Sequence, residues 1–138
     1  MRRLFVDTAG WMMMADAADP RNASARVALD AHLSAGGTLV STDYVLDETL
    51  TLLRMRLGID AAERWWTTIE RSPRLAWEAI DAGRAASARV WFFRWRDKAF
   101  SFTDCTSFVV MRERRLKAAL TSDHHFVLAG FEMLPAAK

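Results

Sequence analysis

The sequence predicts an α/β protein with a mainly parallel central sheet of four to five strands, flanked by helices on both faces. Three observations carry this. Short apolar runs alternate with longer segments of helical periodicity, the order that gives parallel strands joined by right-handed crossovers. At 138 residues, 51% hydrophobic and 26% charged, the chain has the size and composition of one globular core. No stretch is rich in Pro, Gly or Ser, and no repeat or low-complexity tract interrupts it, so residues 1–138 read as one domain.

Leu4-Phe5-Val6 is a short apolar run that ends at Asp7, the pattern of a buried strand. Asp19 before Pro20 is the arrangement of an N-cap followed by proline at the first helical position, predicting a helix to about Ala35 that Gly36-Gly37 stops. Thr38 to Ser41 reads as a second strand, and Asp43 as the cap of a long helix carrying Val45, Leu46, Leu50, Leu52, Leu53 and Leu57 up to Gly58. Asp60 and Glu63 stand at the spacing of a capping box for a helix through Trp65, Trp66 and Ile69 that breaks at Ser72-Pro73. Leu75 to Ile80 is the third strand. Asp81 precedes an alanine-rich helix to about Trp95, and after the loop Arg96 to Phe102 another helix carries Phe108, Val109 and Met111 towards Leu116. Ala118 to Thr121 is a fourth strand, His124 to Ala129 a short helix ended by Gly130, and Phe131 to Leu134 a last edge strand before Pro135.

Several function classes are set aside by composition. The apolar runs Trp11 to Ala15 and Val90 to Phe93 are far short of the ~20 residues of a membrane helix. Met1 to Asp7 begins like a signal peptide with two arginines, but Asp7 interrupts the apolar stretch before an h-region forms. The lone Cys105 closes no intrachain disulfide, so a reducing cytoplasm is the expected location. Net charge is only +2, but unevenly spread: Arg84 to Lys117 holds nine Lys or Arg against three acids, +6, and the remainder is −4. A pair of solvated helix faces accounts for such a run without any polyanion partner.

In open α/β sheets functional groups gather beyond the carboxyl ends of the strands. Asp7 follows the first strand, Asp43 and Glu48 the second, Asp104 opens the helix after the basic loop, and Asp123 comes two residues after the fourth strand. Each has a purely structural explanation. Asp104 completes a capping box with Ser101, Asp123 caps the last short helix, and Asp7 binds backbone amides in its turn. Glu48 resists this, since at helical spacing it shares a face with Tyr44, Leu52 and Met55, and no Lys or Arg lies within one turn. Several carboxylates drawn to one point repel unless a divalent ion holds them, and hard oxygen ligands suit Mg²⁺ or Mn²⁺. Phosphodiester hydrolysis is the natural chemistry of such a site.

The segments Phe5-Val6-Asp7-Thr8, Asp47-Glu48-Thr49-Leu50, Ser101 through Phe108 and Leu120 through Phe126 together resemble the PIN domain, and more narrowly the VapC-type ribonuclease toxins of toxin-antitoxin pairs. The resemblance covers essentially the whole chain. It implies a Mg²⁺- or Mn²⁺-dependent endoribonuclease whose acidic quartet falls on Asp7, Glu48, Asp104 and Asp123, with Asp7 and Asp104 as principal metal ligands. Glu48 would complete the ligand set or position the attacking water, Asp123 would hold a water or second ion, and the Thr8 and Thr121 hydroxyls would support them. It also implies a small antitoxin lying across the active-site groove, and commonly a homodimer.

On that reading the basic third draws RNA to the site, with Arg94, Arg96 and Lys98 as first candidates for substrate contact. Trp91 and Trp95 could stack bases, but packing or dimerisation is the commoner use of such a stripe. The Met12 to Met14 run beside Trp11 is either a pliable partner surface or a buried first helix. Adjacent His124 and His125 point about 100° apart on a helix and make no shared ligand face, which places them on the surface or in a loop. Zinc-type C-x-x-C, phosphate-cradling glycine motifs and G-x-S-x-G are absent. The competing readings are a non-catalytic RNA- or partner-binding module whose carboxylates only cap helices, and a metal phosphatase or DNA nuclease.

Overall fold

The computed structural model describes residues 2–136. Five strands, β1 (Arg3–Val6), β2 (Thr38–Thr42), β3 (Leu75–Glu78), β4 (Ala118–Leu120) and β5 (Glu132–Leu134), form one sheet in the order β3-β2-β1-β4-β5. Every adjacent pair is parallel. The connections are α1 (Thr8–Ala15), α2 (Asn22–Ser34), α3 (Asp43–Leu57), α4 (Ile59–Glu70), α5 (Ala82–Arg94), α6 (Phe102–Glu113) and α7 (His125–Leu128). The α/β expectation therefore holds, with five strands.

β1 sits in the middle, and its Leu4-Phe5-Val6 is an unbroken apolar run because helices bury it on both sides. One aromatic group packs Phe126 against Phe5 and Phe108, with ring centroids 6.3 and 5.1 Å apart. Another packs Trp11 against Trp65 and Trp77 at 5.5 and 6.2 Å. Such rings carry much of the apolar area that holds the layers together. Trp11 also donates to the Ser41 hydroxyl at 3.2 Å, which in turn donates to the Val6 carbonyl at 2.8 Å, so the indole N–H is satisfied where α1 meets the sheet. The Met12 to Met14 run thus belongs to a first helix, with Met12 and Met13 buried. A side chain on Gly10 would collide with the Leu120 carbonyl, so only glycine lets α1 lie this close to the end of β4.

Several local expectations are corrected. α2 begins at Asn22 rather than Pro20, because Asp19 accepts from the Arg21 amide in a tight turn instead of capping a helix. α3 is capped by Thr42, whose hydroxyl accepts from Val45 N at 3.1 Å; Asp43 lies inside the helix and accepts from Ile80 N at 2.9 Å. β3 stops at Glu78, two residues short of the expected end at Ile80. No capping box forms at Asp60 and Glu63, since Gly58, at φ 95°, leads directly into α4. Asp81 caps α5 and Ser101 with Asp104 forms a full capping box on α6, both as expected.

No helix among the described residues is long and apolar enough to cross a membrane. Strand order reverses direction at β1: β2 and β3 lie on one side, β4 and β5 on the other. In a doubly wound sheet this switch point opens a crevice beyond the carboxyl ends of the two diverging strands, here β1 and β4.

Candidate active site

The residue after β1 is Asp7, which caps α1: one carboxylate oxygen accepts from Gly10 N at 2.8 Å. The other accepts from the Thr121 hydroxyl at 2.8 Å, immediately after β4. Thr121 Oγ1 accepts from Asp123 N at 2.9 Å, and Asp123 Oδ1 accepts from His125 N at 2.9 Å. His125 Nδ1 then lies 3.1 Å from Asp104 Oδ2 and 3.3 Å from Asp123 Oδ1. Asp104 is fixed from behind by the Ser101 amide at 3.1 Å. One hydrogen-bonded chain therefore joins the ends of β1 and β4 to the start of α6.

Asp7, Asp104 and Asp123 line a cleft of about 270 Å³ that also takes Thr8 from α1, Val45, Glu48, Leu52 and Arg56 from α3, and Ser107 from α6. Asp7 and Asp104, the pair on which the metal expectation depends, line the same cleft. Burial pushes the Asp7 carboxyl up to about 7; the charges of Asp123 and Asp104 add to this, while the Gly10 amide and Thr121 hydroxyl oppose it. Burial likewise raises Asp104, with the charge of Asp123 adding and the Ser101 amide and His125 opposing. Carboxylates in this condition gain most from a cation. Cys105, beside Asp104, is pushed up to about 11 by burial and stays a thiol.

The residues fit a hydrated hard cation. One ligand atom each from Asp104, Asp123 and His125 lie within 4.8 Å of one another. Two buried hydroxyls of the cleft, Thr8 Oγ1 and Ser107 Oγ, have no hydrogen-bond partner among the described residues, and the outer waters of such an ion would satisfy them. Asp7 stands outside the tightest group and reaches it through Thr121.

The acidic quartet Asp7, Glu48, Asp104 and Asp123 is brought together, with Thr8 and Thr121 beside it. Arg94, Arg96 and Lys98 are not: none lines the cleft. Closeness to Asp104 in sequence does not bring them into the cleft, and several cations of the basic third are paired elsewhere. Arg84 pairs with Glu78 and Glu113 at 3.0 and 2.9 Å, Arg114 with Glu78, and Lys98 with Asp97 at 3.1 Å. Arg112 lies over the Trp91 ring at 4.9 Å, beside Arg94 and Trp95. The cations of the cleft are Arg21 and Arg56 instead. Arg56 is two helical turns beyond Glu48, a spacing that a search confined to one turn passes over. His125 was also missed, since treating it as one of two helix neighbours hid a turn in which Asp123 holds its amide. Ser107, three residues past Asp104 on α6, was legible from helical spacing.

A parallel sheet whose switch point gathers carboxylates from separate strand ends defines the class of acidic-cleft α/β proteins. The family model of the PIN domain matches residues 4–132, and the chain belongs to the PIN domain family. It is 34% identical over 128 residues to the 23S rRNA-specific endonuclease VapC20 of Mycobacterium tuberculosis (strain ATCC 25618 / H37Rv), covering 93% of this chain and 95% of that protein. The crystal structure of Mycobacterium tuberculosis VapC20, described as a sarcin-ricin loop cleaving toxin, superposes with a TM-score of 0.84 at 32% identity, covering 93% of this chain and 95% of that one. VapBC2 from Rickettsia felis, solved bound to a promoter DNA fragment, shares the fold with a TM-score of 0.70 at 11% identity over 95% of this chain and 96% of that one.

Proposed function

We propose that this protein is a divalent-metal-dependent endoribonuclease, the toxin of a toxin-antitoxin pair, with ribosomal RNA at the sarcin-ricin loop as the substrate to test first. The observation that carries the reading is the single hydrogen-bonded chain joining Asp7, Thr121, Asp123, His125 and Asp104, with the buried Asp7 carboxyl poised near neutrality. The likeness to VapC20 over nearly the whole of both chains supports the substrate class.

Asp7, Asp104 and Asp123, with His125, would hold Mg²⁺ or Mn²⁺. The ion supplies Lewis-acid polarisation of the scissile phosphate and of an attacking water. Asp7 is aimed by the Gly10 amide and Thr121 hydroxyl. Glu48, facing the cleft from α3, orients the attacking water and accepts its proton. Arg56 and Arg21 draw phosphates towards an otherwise acidic cleft. Residues 1–138 act as one nuclease domain in the cytoplasm. An antitoxin segment covers the cleft, and a second copy pairs through an exposed apolar patch on and just past α5, formed by Val90, Phe92, Phe93 and Trp95.

The test is RNA cleavage by wild type, Asp7→Asn and Asp104→Asn in Mg²⁺ or Mn²⁺ and in EDTA. Both variants should fold, bind RNA and fail to cut, and EDTA should silence wild type. Full cleavage by both variants would overturn the reading. RNA binding with no metal-dependent cleavage by wild type would favour the non-catalytic module, in which the Gly10 and Ser101 amides are all these carboxylates serve.

A further inference from the structure

We propose that a second hollow, beside the acidic cleft and lined by Met13, Pro20, Ser24, His124, Met133 and Pro135, is a subsite for the nucleobase next to the cleaved phosphodiester. This rests on the endoribonuclease reading and adds to it where the substrate's base is held.

The hollow, about 400 Å³, lies over the carboxyl ends of β4 and β5, one strand further out than Asp7 along the same edge of the sheet. The two spaces share a wall. Arg21 and Ser122 line both, and Thr121, whose hydroxyl donates to Asp7, also lines the hollow. A nucleotide whose phosphate enters the cleft therefore has its neighbouring base at this wall, with the exposed Arg21 side chain between base and phosphate.

Lining chemistry separates the two spaces. The cleft carries Asp7, Asp19, Glu48, Asp104 and Asp123, so a base's acceptor edge gains little there. Among the described residues no carboxylate lines the hollow. Two thioethers and two proline rings give it apolar walls, which suit the faces of a planar heterocycle, and Ser24, Ser122 and His124 give it polar groups for the ring edge. Pocket size, apolar walls and a few convergent polar groups are what a base splayed out of a loop requires. An apolar side chain of a bound protein would use the walls but has no need of Arg21 on the phosphate side.

Cleavage sites are first mapped on deproteinised ribosomal RNA, and a short hairpin spanning the main site is made with its natural bases and with an abasic sugar at each flanking position. For wild type, one of these abasic changes should lower kcat/KM about 10- to 100-fold, the loss of one stacked base. In His124→Ala and in Met133→Trp, which fills the hollow, the natural hairpin should lose a comparable factor and the abasic penalty should shrink below about 3-fold. His124 is exposed, so its truncation decides the matter even if Met133→Trp does not fold. An undiminished abasic penalty in both variants overturns the subsite. Wild-type cleavage and wild-type base dependence in both variants also overturn it and leave the hollow to a partner protein. Wild type that cuts no RNA with metal present fails the endoribonuclease reading itself, a result distinct from either because it appears before any variant is made.

Discussion

Replacing Asp7 with Asn should change how stability depends on pH, and the structure fixes both sign and size. Asp7 titrates at about 7 in the folded protein against 3.8 for an unperturbed aspartate. A carboxyl raised on folding holds its proton more tightly in the native state, so its favourable contribution is complete below about pH 4 and lost as pH rises through about 7. At about 1.4 kcal/mol per unit, the loss between pH 5 and pH 8 is about 2–3 kcal/mol. For a chain of this length that is a fall of about 10 °C in Tm. Asparagine keeps the shape: its carbonyl oxygen can still accept from Gly10 N, and its amide can donate to the Thr121 oxygen. Thermal denaturation of both proteins in EDTA across this range is the assay. The Asn variant should melt with a flatter pH profile and exceed wild type most at pH 8, whereas divalent metal should restore wild type alone. Parallel profiles for the two proteins would refute the account of Asp7 as a buried, proton-holding carboxyl.

Three further outcomes follow from other parts of the molecule. Gly10→Ala should destabilise by about 1–3 kcal/mol and abolish cleavage, since the new methyl meets the Leu120 backbone and displaces the helix that Asp7 caps; calorimetric melting and an RNA assay check it. His125→Ala should weaken Mn²⁺ binding about 10- to 100-fold by titration calorimetry, with the fold intact. Arg56→Glu, on an exposed face, should leave stability within about 0.5 kcal/mol of wild type and raise KM about 10-fold while flattening its salt dependence.

The fold was legible because its signals are local. Leu4-Phe5-Val6 reads as a strand buried on both faces, and the Gly36-Gly37 and Gly58 stops mark helix ends whatever packs around them. Asp7 and Asp123 were legible for a related reason, since strand ends in a parallel sheet share one edge and residues just past them converge, whereas Glu48 and Asp104 stand on α3 and α6 and were marked by the family resemblance. Capping choices were less so, since Thr42 and Asp43 are both good caps and only the distant Ile80 amide decides which one the helix uses. Arg21, Arg56 and His125 depend on how α2, α3 and the turn after β4 meet, which no spacing within one element reports. The pairing within the basic third was hidden for the same reason: Glu78 and Glu113 claim Arg84, and Glu78 claims Arg114.

The central place of β1 has a consequence for biosynthesis. Its neighbour β4 and the carboxylates Asp104 and Asp123 lie far along the chain from Asp7, so the acidic cleft cannot assemble until residue 123 has been made. A nascent chain that has made only β1 to β3 therefore carries Asp7 without the Asp104 and Asp123 that share its cleft, and the delay comes from strand order alone.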